Sequence, residues 1–132
     1  MTPTPKQIDA ILPYLDRFIE PGFTVGDWCR SSVPGQVPWF EYSDSVSDFR
    51  KALYDNYWII PSFDWGKWQE AAREYVEKPE KINSAEAETI QKLFTTHVRA
   101  DRSCEGHLAA MFDNGHIVAL LRRLQELLRP TV

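Results

Sequence analysis

Five stretches of this chain repeat apolar residues at helical spacing, and polar or turn-forming segments separate them. The first runs through Ile8, Ile11, Leu12, Leu15, Phe18 and Ile19, which follow the i, i+3, i+4, i+7 rule. Thr4-Pro5 supplies a hydroxyl N-cap with proline in the first turn, and Pro21-Gly22 ends the helix. Pro13 withholds one backbone donor, which predicts a bend around residues 9–13.

Residues 22–43 change character. Gly22, Gly26, Pro34, Gly35 and Pro38 punctuate short apolar runs around Phe23–Cys29 and Val37–Tyr42. The loose alternation, with a Ser-Ser-Val-Pro-Gly-Gln turn between, predicts an antiparallel hairpin. Ser45 with Asp48 resembles a capping box and opens a helix that buries Val46, Phe49, Ala52 and Leu53 and ends near Asn56. Tyr57–Pro61 is a short extended run, a candidate third strand kept at a sheet edge by Pro61.

Asp64 caps a helix with Trp65, Trp68, Ala72, Tyr75 and Val76 on its inward face, and Lys78-Pro79 stops it. Ser84 is a fresh N-cap. The helix it opens either runs to Phe112 or breaks in the Arg-Ala-Asp-Arg-Ser segment or at Gly106. Asp113-Asn-Gly115 is a turn, and Ile117, Leu120, Leu121, Leu124, Leu127 and Leu128 form one face of the last helix. The expected fold is therefore α+β: a mainly helical single domain over residues 1–132. It has five or six helices and a small two- or three-stranded antiparallel element near residues 22–60.

Composition narrows the class. With 43% hydrophobic and 26% charged residues, the 132-residue chain reads as soluble and globular. Its net charge of −4 argues against nucleic-acid binding. No run is long and apolar enough for a membrane span or a signal peptide, and the two cysteines, 75 positions apart, lack metal spacing. Cytoplasm is the expected location. Acidic residues dominate up to residue 92, whereas the last forty hold five arginines and no lysine. Arginine suits planar pairing with carboxylate or phosphate.

Candidate chemistry concentrates at residues 97–107. Continuing the face of Ile90, Leu93 and Phe94 by 100° per residue places His97, Asp101 and Cys104 on it before Leu108 restores an apolar position. Polar groups on a buried stripe need partners. His97, Asp101 and Glu105 at i, i+4, i+8 could chelate from one helix only if His107 or His116 returned from elsewhere. Cys104 with His97 or His107 is a nucleophile–base candidate, against the bland reading of a structural thiol. Arg99 and Arg102, with Glu105, read as a salt-bridge network or an anion site. Separately, all five tryptophans fall within residues 28–68. That band is a core, a binding groove or a stacking platform in which Trp65 or Trp68 meets a ligand.

Pro38–Tyr42, Phe63-Asp-Trp65 with Trp68, Val98–Gly106 and Asp113–Gly115 together resemble a small bacterial and phage family catalogued as a domain of unknown function. The resemblance covers roughly residues 8–128. Its hallmark is an arginine pair, an aromatic and a glycine; Arg99, Arg102 and Gly106 match, and Ser103 stands where an aromatic is expected. It implies one domain and no activity. The leading functional reading is a small cytoplasmic module that binds another protein, for instance an inhibitor of a host defence complex or of a toxin. The alternatives are a small-anion or nucleotide binder using Arg99, Arg102 and aromatic stacking, and a hydrolase using His97, Asp101 and Glu105. No catalytic set, metal site or cofactor is assigned, and oligomeric state stays open.

Overall fold

A computed structural model describes residues 2–128. The first apolar stretch folds as two helices, α1 (Pro5–Ile11) and α2 (Pro13–Phe18), hinged at Leu12 where Pro13 has no N–H to give. Thr4 and Gln7 close a reciprocal capping box at the start of α1. Ile8, Ile11, Leu15 and Phe18 stay on one buried face across the hinge.

Strands β1 (Gly26–Cys29) and β2 (Trp39–Tyr42) pair antiparallel, Gly26 opposite Tyr42 and Cys29 opposite Trp39. Trp28, Phe40 and Tyr42 share one face and touch edge to face or tilted, with centroids 5.4 and 4.8 Å apart. Helix α3 (Asp44–Asp55) follows at once. Its N-cap is Ser43, not Ser45: the Ser43 N–H is still tied to Val25 O while its hydroxyl accepts from Val46 N. The helix thus nucleates directly on the end of the strand.

The sheet has two strands among the described residues, and the candidate third strand is not part of it. Residues 57–61 lie against a helix instead, and side chains satisfy their backbone. Gln91 donates to Tyr57 O, and the Thr95 hydroxyl reaches Trp58 O and accepts from Ile60 N. Trp58 is fully buried, its indole N–H donated to Gln7 O.

Asp64 caps α4 (Trp65–Glu77) as expected, but only Ala72 is fully buried; Trp65, Trp68, Tyr75 and Val76 are half-buried. A 3₁₀ turn over Pro79–Ser84 then occupies the Ser84 hydroxyl with Lys81 O. The N-cap of α5 (Ala87–Ser103) is therefore Glu86 rather than Ser84. The long stretch breaks after Ser103, giving α6 (His107–Asp113) and, past Gly115, α7 (His116–Leu128). Breaks at Leu12 and at Cys104–Gly106 raise the count to seven α-helices among the described residues.

Helix α5 is the centre, with eleven buried residues, packed between α4 and the α6–α7 pair. Ile90, Leu93 and Phe94 meet Ile117, Leu120 and Leu121 in one core, and Phe18, Phe49 and Phe112 interlock edge to face. The architecture is a mainly helical α+β single domain. No helix among the described residues is long and apolar enough to cross a membrane.

Candidate functional site

The buried stripe of α5 does turn polar at His97, which is 3% exposed. What it meets depends on two chain reversals. Gly106, at φ +82°, turns the chain so that His107 begins α6; Gly115, at φ +81°, turns it again so that His116 begins α7. Both returning histidines land on His97. Its Nδ1 lies 3.0 Å from His107 Nε2, and its Nε2 lies 3.1 Å from His116 Nε2. All three histidines of the chain thus form one hydrogen-bonded row.

Burial sets the charge of that row. It pushes His97 well below the ordinary imidazole range, with the neighbouring rings adding to the effect, and brings His116 down to about 4. His107 is also lowered by burial, opposed by the Asp101 carboxylate. Three neutral imidazoles carry one donor and one acceptor each, so the row has a direction. Either His107 donates to His97 and His97 to His116, or both bonds reverse. His97 meets its neighbours through opposite ring nitrogens, whereas a metal site needs nitrogens converging on one point. Among the described residues no group of three or more His, Cys, Asp or Glu is placed to hold a metal ion.

Asp101, one turn beyond His97, points elsewhere. Its Oδ1 accepts the Tyr42 hydroxyl at 2.6 Å and the Leu108 N–H at 3.0 Å, and Arg50 approaches Oδ2 at 3.6 Å. The carboxylate therefore caps α6, whose N-cap residue Gly106 has no side chain to do so. Burial and the Asp101 charge raise the Tyr42 phenol above its ordinary range, so it stays protonated and keeps donating. Glu105 accepts from Phe40 N, and Trp28 closes over Gly106, where a Cβ would come within 2.7 Å of the indole. The hairpin is thus fastened to the α5–α6 corner at three points.

The arginine pair spreads apart. Arg99 reaches Ile60 O at 3.4 Å, with its Nε buried and without a partner, while Arg102 donates to the Tyr54 hydroxyl on α3. Trp68 packs on Phe63 and Tyr75, and Trp65 is half-buried on the same helix. Of the residues singled out from sequence, His97, Asp101, Glu105, Arg99 and Arg102 each face a different partner.

What His97 does share is a cleft of about 350 Å³ between α4 and the α5–α6 corner. His97, Cys104 and His107 line one side, and Gln69, Arg73 and Val76 of α4 the other. Cys104 is exposed and makes no hydrogen bond to either ring among the described residues. Arg73, Arg50 and Tyr42 were not visible as site residues in the sequence, since nothing local links them to residues 97–107. The histidine row did leave a trace, the dipeptide Gly-His occurring at both 106–107 and 115–116.

Comparison with known proteins returns no matching curated protein and no matching solved structure. The family model described as "Family of unknown function (DUF6508)" matches residues 3–130, and the chain belongs to that family.

Proposed function

We propose that the protein is a binding module that contacts another protein through its hairpin. The observation that carries this reading is the exposure of large apolar side chains there. Trp28 is 55%, Val33 55%, Val37 81% and Trp39 44% exposed, all within twelve residues of an otherwise acidic chain. Trp28 lies on the face of the hairpin shared with Phe40 and Tyr42, Trp39 lies on the other face, and Val33 and Val37 lie in the loop between the strands. Apolar side chains exposed at this density mark a contact element, and tryptophan is among the residues that dominate binding energy. Asp27 and Glu41 pair on the Trp39 face of the hairpin, which suits an apolar groove with a basic rim. Arg99, Arg102 and Glu105 then serve as fixings that hold the corner from which the hairpin projects. A small acidic protein so built suits regulation or inhibition, covering the working surface of a larger complex or a toxin.

The test compares wild type with a Val37→Asp/Trp39→Ala double variant as baits in extract of the source cells. The wild type is expected to retain a stoichiometric partner that the double variant loses. Both baits are expected to melt within a few degrees of each other, because exposed positions away from caps and networks change stability by only about 0.5 kcal/mol. A wild-type bait with no stoichiometric partner, or a partner that binds both equally, overturns the reading.

A further inference from the structure

The hairpin reading makes no use of the cleft beside the histidines. Its volume, about 350 Å³, is at the small end of ligand sites. Val76, Ala100 and Met111 give it apolar walls, and methionine sulfur packs well on flat rings. Two polar side chains that line it have hydrogen-bonding capacity to spare. Arg73 forms no ion pair or hydrogen bond among the described residues, although its side chain lines the cleft. His107 engages His97 through Nε2, and its Nδ1 has no hydrogen-bond partner among the described residues.

We propose that this cleft binds a small organic anion with a flat apolar body. Arg73 and His107 hold its charged head, and Val76, Ala100 and Met111 hold its body. The guanidinium pairs with the anion as a planar fork. His107 adds a second bond from Nδ1–H, and this choice propagates. With its proton on Nδ1, His107 must accept at Nε2 from His97 Nδ1–H, and His97 must in turn accept at Nε2 from His116 Nε2–H. At neutral pH binding therefore selects one of the two directions of the row without adding or removing a proton.

Acidification strengthens the same site. The groups around His107 are His97 and Asp101 of α5, Cys104 just past its end, His116 of α7, Arg73 of α4 and the Tyr42 phenol of β2. Asp101 is already committed to Tyr42, Leu108 N and Arg50. An anion in the cleft adds the negative charge that a protonated row otherwise lacks, so proton uptake and binding favour each other.

The experiment uses the full chain with ¹⁵N-labelled histidine, whose three rings are resolved by long-range ¹H–¹⁵N spectra that report which nitrogen carries hydrogen. Benzoate is the probe, benzamide its neutral counterpart and inorganic phosphate the anion without an apolar body. Benzoate is expected to move the signals of all three rings toward the direction with His107 Nδ1 protonated. It should bind at least about tenfold more tightly than benzamide, which lacks the charge-assisted contact, and than phosphate, which buries no apolar body. Its affinity should rise from pH 7.5 to pH 5.5. Arg73→Ala, at an exposed position that leaves the fold intact by circular dichroism, should weaken benzoate by a similar factor. Equal binding of benzamide or of phosphate, an Arg73→Ala variant that binds as well as wild type, or ring signals that do not move would each overturn the proposal.

Discussion

The hairpin and the α5–α7 core meet at two carboxylates, Asp101 and Glu105, yet they differ in the kind of residue they place against its usual preference. The hairpin carries two tryptophans and two valines into solvent, while the core encloses two histidines and an aspartate at less than a tenth of their free exposure. In each region the misplaced residues are held in place by contacts. Glu105, Tyr42 and Gly106 fasten the hairpin, and the three imidazoles satisfy one another. An apolar group in water is cheap and waits for a partner. A polar group in a core is costly and must already have one.

Cutting the junction tests that contrast most severely. Asp101→Ala strands the Tyr42 hydroxyl, the Leu108 N–H and the Arg50 charge, and is expected to cost about 3 kcal/mol in urea unfolding. Asp101→Asn, which still accepts from Leu108 N, should lose clearly less. Equal losses would show that the cap contributes little.

Acid should act on the core before the hairpin. All three histidines have folded-state pKa values below the ordinary 6.5, so the unfolded chain takes up protons first. Their contribution is complete above pH 6.5 and is lost as pH falls toward the folded values, about 4 for His116. Unfolding free energy should drop by up to about 1.4 kcal/mol per pH unit for each of His97 and His116 between pH 6.5 and 5, and by less for His107, above the range where carboxylates titrate. A flat profile over that window would mean the row is not buried neutral.

Gly106→Ala is the gentlest of the three. It forces a side chain into positive φ and against Trp28, with an expected loss of about 1–2 kcal/mol and a change in tryptophan emission. An unchanged spectrum would place the hairpin away from that corner.

Local chemistry told most of the fold. Pro13, Asp64, Pro79 and Gly115 announce their breaks and caps because each acts within a turn of itself. The errors lie where another element, near or distant, competes for the same group. Ser84 is consumed by a 3₁₀ turn, Ser43 takes the cap from Ser45 because the strand ends there, and Thr95 and Gln91 replace the missing strand beside residues 57–61. The candidate site follows the same division. The polar interruption at His97 and Asp101 is legible from α5 alone. That His107 and His116 both return to His97, while Asp101 turns to Tyr42, depends on two reversals whose angles no spacing rule supplies. Arg73 enters only through packing of α4 on α5.

The fastenings of the hairpin are also long-range in the chain. Tyr42 to Asp101 spans 59 residues and Phe40 to Glu105 spans 65, while the hairpin itself closes over about a dozen. Closing a long loop costs entropy that only a formed acceptor repays, and the acceptors exist once α5 and α6 have met. Docking of the hairpin is therefore expected late in folding and early in unfolding. Its fastenings govern how long the native corner lasts more than how fast it forms.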